Sequence, residues 1–178
     1  MNLMQNPLRS PDRVETYLTV VNKTITGAPV VTNAMAQEWA KTSENLTSLI
    51  DYVTDYAEQE TSLALREQTV IAVYLSCGMV FDLPIRGALA ITNIKDENGN
   101  NIETTEYELV GNTVLFREPR LKKTTVTYTA HYQSSMVELA ILKLTLSHFE
   151  DRQDNVIGSS AQEMKNSSKA ILRPFMRY

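Results

Sequence analysis

An α+β fold is predicted, with helices on either side of a β-meander, and three observations predict it. From Leu46 to Leu63 the apolar residues recur three and four apart, the spacing that gives a helix one buried face. From Thr69 onward the period changes to strict alternation, which persists in short runs as far as Tyr132. From Met136 to Arg152 the chain returns to helical spacing, now apolar on nearly every side.

Residues 1–28 read as an N-terminal arm. Pro7 and Pro11 punctuate its start, and the run VETYLTVVNKTI at Val14–Ile25 is rich in β-branched and aromatic residues, which suits an extended segment or edge strand. Gly27 and Pro29 break it. Thr32 and Asn33 offer N-caps for a short helix through Met35 and Trp39, and Thr42 or Ser43 offers a cap for the next. On that second helix Leu46, Leu49, Ile50, Val53, Tyr56, Ala57 and Leu63 form the buried face, with Asp51, Asp55, Glu58 and Gln59 largely on the solvent side. Strands are expected at 69–75, 88–95, 107–110, 113–116 and 124–132, with turns at DENGNN (96–101) and Gly111–Asn112. On the last strand Val126, Tyr128, Ala130 and Tyr132 share one face and Thr125, Thr127, Thr129 and His131 the other. Ser135 and Glu138 have the spacing of a capping box for the long helix at 135–152. Gly158 to Ser160 breaks the chain, and a short helix near Ser168–Leu172 ends at Pro174. The organisation read from this is an arm at 1–28, a core at 29–160 containing a β element at 68–132, and a C-terminal short helix and tail at 161–178.

Composition narrows the function. A chain of 178 residues buries roughly two-thirds of its unfolded surface on folding, enough for a core without metal or disulfide staples. The formal charge of −4 is unlike the basic surface of a protein that grips nucleic acid, although an acidic wall would let DNA slide past. The single cysteine, Cys77, excludes an internal disulfide framework. The N-terminus lacks the apolar run of a signal peptide, and no segment approaches the ~20 apolar residues that span a bilayer. The sequons at Asn22, Asn45 and Asn166 carry no meaning without secretion, and a soluble protein made in a cytoplasm is expected.

Catalytic chemistry finds little support. Nucleophilic catalysis wants Ser or Cys beside a His and an orienting acid. The two histidines, His131 and His148, fall on a threonine-rich strand face and on the apolar helix, and Cys77 reads as a small half-buried hydrophobe. His148-Phe149-Glu150 matches half of a zinc-deaminase signature, but the P-C-x-x-C half is missing. DENGNN places Asp96, Asn98 and Asn100 like a calcium loop, yet Gly99 falls fourth instead of sixth and Tyr107 stands where the twelfth-position Glu belongs. No phosphate-binding glycine motif is present, and Glu58 with Glu60 reads as part of a solvated helix face. No catalytic residue, metal site or cofactor is expected.

Two features call for a partner. Arg117, Arg120, Lys122 and Lys123 cluster around Pro119 between two expected strands, a basic tip suited to DNA phosphates or an acidic partner, or simply a solvated hairpin. The tail Arg173–Tyr178 holds Phe175, Met176 and Tyr178 with two arginines. Aromatic and arginine side chains are the usual interface anchors, though docking on the chain's own core is the competing reading.

The C-terminal third carries a family resemblance. VELAILKLTLSHFEDRQDNVIG followed by SSKAILRPFMRY resembles the closing pattern of the head–tail connector (adaptor) proteins of tailed bacteriophages. In that pattern A-I-L-x-L-x-x-H-x-[YF]-x-x-R is followed, after a loop, by L-L-x-P-[YF]-R. Ala140, Ile141, Leu142, Leu144, His148, Phe149, Arg152, Leu172, Pro174, Phe175 and Arg177 take it up, with His148 one place later than the pattern sets it and Met176 displacing Arg177 by one place. LPIRGALAITNIKDENGNNI, YELVGNTVLF and TTVTYTAHY are similar to the family's middle strands, with Ala88 where a proline is usual. AMAQEWAKTSENLTSLIDYVTDYAEQET resembles its opening helices, more loosely over Trp39–Lys41. The likeness spans about residues 29–178, and the arm before Pro29 has no clear counterpart.

The resemblance implies a fold that is mainly a helical bundle with a long buried C-terminal helix and an inserted antiparallel β-meander or hairpin element. It implies a non-enzymatic virion protein of the neck, assembled in the bacterial cytoplasm as a dodecameric homo-oligomeric ring. The ring would sit between the portal protein and a stopper or tail-completion protein, with DNA passing through without sequence-specific binding and no membrane involved. On this view Leu172, Arg173, Pro174, Phe175, Met176, Arg177 and Tyr178 are expected to meet the portal, and Arg117, Arg120, Lys122 and Lys123 to line the channel or touch a partner. A different neck or tail-completion protein such as a stopper, or a DNA-binding packaging accessory, is the alternative.

Overall fold

The computed structural model describes residues 17–76, 78–153 and 170–176. Within it the chain forms seven strands, β1 (Tyr17–Ile25), β2 (Gln68–Ser76), β3 (Gly78–Asp82), β4 (Ala88–Lys95), β5 (Tyr107–Val110), β6 (Thr113–Arg120) and β7 (Thr124–Ala130). Three substantial helices accompany them, α1 (Asn33–Ala40), α2 (Thr47–Thr61) and α3 (Ser135–Gln153), with short 3-10 turns at Thr104–Glu106 and Arg173–Phe175. These elements divide into two compact units. The described residues within Met1–Thr24, Thr69–Pro84 and Ala88–Thr129 form a β unit, and those within Ile25–Gln68, Ile85–Gly87 and Ala130–Tyr178 form a helical unit.

In the β unit, alternation decides which face of each strand is covered. Val70, Ala72 and Tyr74 of β2 are buried while Ile71 and Leu75 point outward. Val126 and Tyr128 of β7 are fully buried, and the alternating threonines are half-exposed. These strands sit at the centre of a four-stranded sheet ordered β1-β2-β7-β4. β1 is an edge strand, as its composition predicts, and Thr19 Oγ1 donates to the Val73 carbonyl at 2.9 Å. The second sheet is ordered β3-β6-β5 and is antiparallel, with Phe81 opposite Val114 and Tyr107 opposite Phe116. An aromatic cluster fills one of its faces: the rings of Tyr74 and Phe81 are 4.6 Å apart, Phe81 and Phe116 5.7 Å, and Tyr107 and Phe116 6.2 Å. The register of β3 against β6 shifts between Gly78 and Val80, and Pro119 falls in that irregular stretch, where its missing N–H costs no ladder bond.

The helical unit is built on the three helices. Thr32 caps α1, its Oγ1 accepting from the Met35 N–H at 3.3 Å. No side chain caps α2 at Leu46, so the expected Thr42 or Ser43 cap does not form. Instead Asn45 Oδ1 accepts from the Thr47 N–H at 3.0 Å, and Asn33 Oδ1 holds the Leu46 N–H at 2.7 Å. At α3 the cap is Ser134 rather than Ser135: its Oγ accepts from the Met136 N–H, and its carbonyl accepts the Glu138 N–H. Ile50, Val53 and Ala57 of α2 and Val137, Ile141, Leu144 and Phe149 of α3 pack in one core, which Leu172 completes.

The short crossing segment at 85–87 threads through this unit as backbone. The Ala64 N–H donates to the Arg86 carbonyl and the Arg86 N–H to the Ser62 carbonyl, while the His131 N–H donates to Gly87 on the other side. Gly87 has a φ of +94°, and a Cβ there would lie 3.0 Å from Tyr132 Cβ. Only glycine therefore fits between the two flanking segments.

The expected fold class needs correction. The chain is not mainly a helical bundle with one inserted hairpin or meander: among the described residues it is strand-rich, 37% strand against 35% helix, with two antiparallel sheets. The reason lies in pairing. The arm adds β1 to the first sheet, and β3, unrecognised in the sequence, joins β5 and β6 in a sheet of their own. The C-terminal helix is also less enclosed than expected: Met136 and Leu139 are exposed along one side of α3.

Candidate functional site

The basic cluster is split by its neighbours. β6 runs on to Arg120, so Arg117 and Arg120 stand on a strand and only residues 121–123 form the loop. Arg120 pairs with Glu106 and lies 5.3 Å from the centre of the Phe116 ring, so its charge is offset and its guanidinium is held over an aromatic face. Lys122 Nζ reaches Glu97 Oε1 at 2.7 Å. The hydrogen bond to Glu97 raises the Lys122 pKa, and the same contact lowers that of Glu97. Arg117 and Lys123 are exposed and form no ion pair among the described residues. Two cations, not four, remain available to a partner.

The calcium-like sequence is a hairpin turn. Asp96 Oδ1 accepts from the Asn98 and Asn100 N–H groups at 2.9 and 2.8 Å, an Asx turn that occupies the carboxylate from within. The Asn100 backbone bond is the main reason the Asp96 pKa lies below its ordinary value. Among the described residues no group of three or more His, Cys, Asp or Glu is placed to hold a metal ion. His131 and His148 have unrelated settings. The His131 backbone pairs with Gly87, and the His148 ring packs edge-on against Tyr52, 5.7 Å between centres. Cys77 lies outside the described residues.

The C-terminal residues are docked on the helical unit as far as they are described. Leu172 is 2% exposed in the core, and Phe175 and Met176 are partly buried against it. Arg86 binds both the Thr61 and the Phe175 carbonyls, tying the last turn to the end of α2. Arg173 and Pro174 remain exposed, and Arg177 and Tyr178 lie outside the described residues.

Sequence reasoning missed two polar anchors. Glu58, assigned to a solvated face, is 4% exposed. Its Oε1 accepts the Arg66 N–H at 3.1 Å, and its Oε2 accepts from the Arg66 guanidinium at 2.9 Å. The guanidinium also pairs with Asp55. Burial alone lowers the Arg66 pKa, but the hydrogen bonds to Glu58 and Asp55 outweigh it and the net shift is upward. Glu58 sits four residues after Thr54 and three before Thr61, both buried on α2, so helical spacing carried the signal. Arg86 had no local signal, because its acceptors are backbone carbonyls 25 and 89 residues away.

No family model and no curated protein matches the sequence. Solved structures do. A chain in the neck of the empty gene transfer agent (GTA) particle, computed with C6 symmetry, superposes with a TM-score of 0.68 at 14% identity, covering 90% of this chain and 96% of that one. A chain in the neck of the native GTA particle, computed with C12 symmetry, gives 0.57 at 14% identity over 87% and 96%. A chain of the native GTA virion gives 0.58 at 17% identity over 88% and 95%. The fold is thus shared, nearly end to end, with chains of phage-like neck and virion particles, in agreement with the resemblance read from the sequence.

Proposed function

We propose that this chain is a structural neck protein of a phage-like particle, copies of which form a ring adaptor between the portal vertex and the stopper or tail. The observation that carries the reading is the near-complete mutual coverage with a GTA neck chain at a TM-score of 0.68. The C12 symmetry of the related neck supports a ring of twelve, and the acidic chain suits a conduit that DNA passes without gripping. Arg117 and Lys123, the two cations of the basic cluster with no carboxylate partner among the described residues, are the residues proposed to face DNA phosphates or an acidic partner. The tail from Leu172 to Tyr178 is proposed to meet the portal, with Leu172 as its buried root and Arg173 and Pro174 on the outside.

The test is the mass of the purified protein, alone and mixed with the portal protein of the same particle, by light scattering on a sizing column. A ring alone, or a monomer that joins a portal-sized complex, is expected. A monomer indifferent to the portal overturns the reading.

A further inference from the structure

The outward side of α3 carries Met136, 63% exposed, and Leu139, 39% exposed, with exposed Lys143 and half-buried Leu146 on the following turns. Steps of three and four residues place these side chains in one stripe along the helix. Lys143 forms no ion pair among the described residues. Among the described residues, Met136, Leu139 and Leu146 take no part in the unit's core cluster.

The opposite side of α3 looks different. His148 lies nine residues from Leu139, about two and a half turns, so the two side chains point roughly half a turn apart. On that far side the His148 ring meets Tyr52 of α2, which is itself 57% exposed. Asp51, half-exposed, precedes Tyr52, and Asp55 follows one turn later with its side chain 54% exposed and already paired on one side with Arg66. Asp51 is thus the carboxylate of the patch without an ion pair among the described residues. The helical unit therefore shows an apolar stripe bearing a cation on one side and an aromatic patch flanked by carboxylates on the other.

Unlike patches that complement each other from opposite sides of one unit are what head-to-tail association requires, whereas a two-fold pair needs a patch that complements itself. Stripe against stripe would set Lys143 near its own copy. Stripe against the Tyr52 patch sets it near Asp51 and Asp55, and tyrosine is a preferred anchor in interfaces. We infer that the Met136–Leu139–Lys143 stripe of one copy docks on the Tyr52 patch of the next copy around the ring. The inference rests on the ring reading and adds which faces meet. A stable interface covers about 800 Å² per partner, so these patches fix the register of a larger contact.

The test is a disulfide ladder. In a Cys77→Ser background, Leu139→Cys and Tyr52→Cys are combined in one chain, and the protein, alone and with the portal protein, is oxidised and separated without reductant. Circular dichroism checks that each variant folds. The expected result is a ladder of dimers, trimers and higher multimers from the double variant, absent from both single variants. A companion variant, Leu139→Asp, is expected to weaken association about 10-fold or more without unfolding the exposed site. Rings that form with no ladder overturn the interface and leave the ring reading intact. Full dimerisation of Leu139→Cys alone shows stripe facing stripe and also overturns it. No association under either condition overturns both readings together.

Discussion

The two units use ion pairs in opposite ways. In the helical unit Arg66 and Glu58 meet with their side chains 9% and 2% exposed, and the guanidinium and carboxylate satisfy one another and the backbone. In the β unit Lys122 and Glu97 meet at a similar distance with side chains 73% and 32% exposed. Distance alone would rank them equal. Burial separates them, because a carboxylate out of water depends wholly on its partner, whereas an exposed one has solvent to fall back on. The buried pair of the helical unit therefore supports the fold, whereas the Lys122–Glu97 pair of the β unit lies open to solvent.

Removing one buried partner tests the first half of that contrast and has the largest expected effect. Glu58→Ala leaves Arg66 buried without its main acceptor and is expected to cost about 3–5 kcal/mol. Chemical denaturation followed by Trp39, the only tryptophan and a residue of α1, reads this unit directly. A loss under about 1 kcal/mol breaks the comparison. Next in size is Arg86→Met, which strips a charged donor from the Thr61 and Phe175 carbonyls and is expected to cost about 1.5–3 kcal/mol. Faster amide exchange at Met176, whose N–H donates to the Arg173 carbonyl, is the local readout.

The smallest effect belongs to the exposed turn. Lys122→Ala is expected to leave the denaturation midpoint unchanged within error. The pH dependence of that turn follows from its shifts. Asp96 and Glu97 are held below their ordinary 3.8 and 4.5, so their contribution is present above those values and lost as pH falls through the lower folded ones. Lys122 is held above its ordinary 10.5, so its contribution is present below that value and lost as pH rises through the higher folded one. Protection of the Asn98 and Asn100 amides, their exchange relative to the intrinsic rate at each pH, is expected to hold across the neutral range and to fall only in strong acid, where Asp96 takes up a proton. Protection that is lost near neutrality would contradict this assignment of the turn.

Much of the local structure was legible because it depends on period and caps. The bounds of β4 and β5, the Thr32 cap and the alternation of β7 follow from residues adjacent in the chain. What was illegible depends on partners far away. Nothing near Met79 or Val80 says that β3 pairs with β6, some 35 residues on, and without that pairing one meander was expected where two sheets form. The candidate sites divide likewise. That Arg117 to Lys123 forms a basic cluster is visible in the sequence, but which two of its cations are neutralised depends on Glu97 and Glu106. The tail's apolar character was equally visible. Its docking needs Arg86, whose role is set by carbonyls that no side-chain pattern reports.

As a ring adaptor, this chain is proposed to stand at the junction of head and tail. The turn at Asn98–Gly99 is exposed, and a Cβ at Gly99 would meet nothing within 4 Å, so a small tagged insertion there leaves both sheets intact. Electron cryomicroscopy of particles assembled with the tagged chain is the direct measurement. One ring of added density at the neck is expected. Added density elsewhere on the particle, or none in particles that carry normal necks, would contradict it.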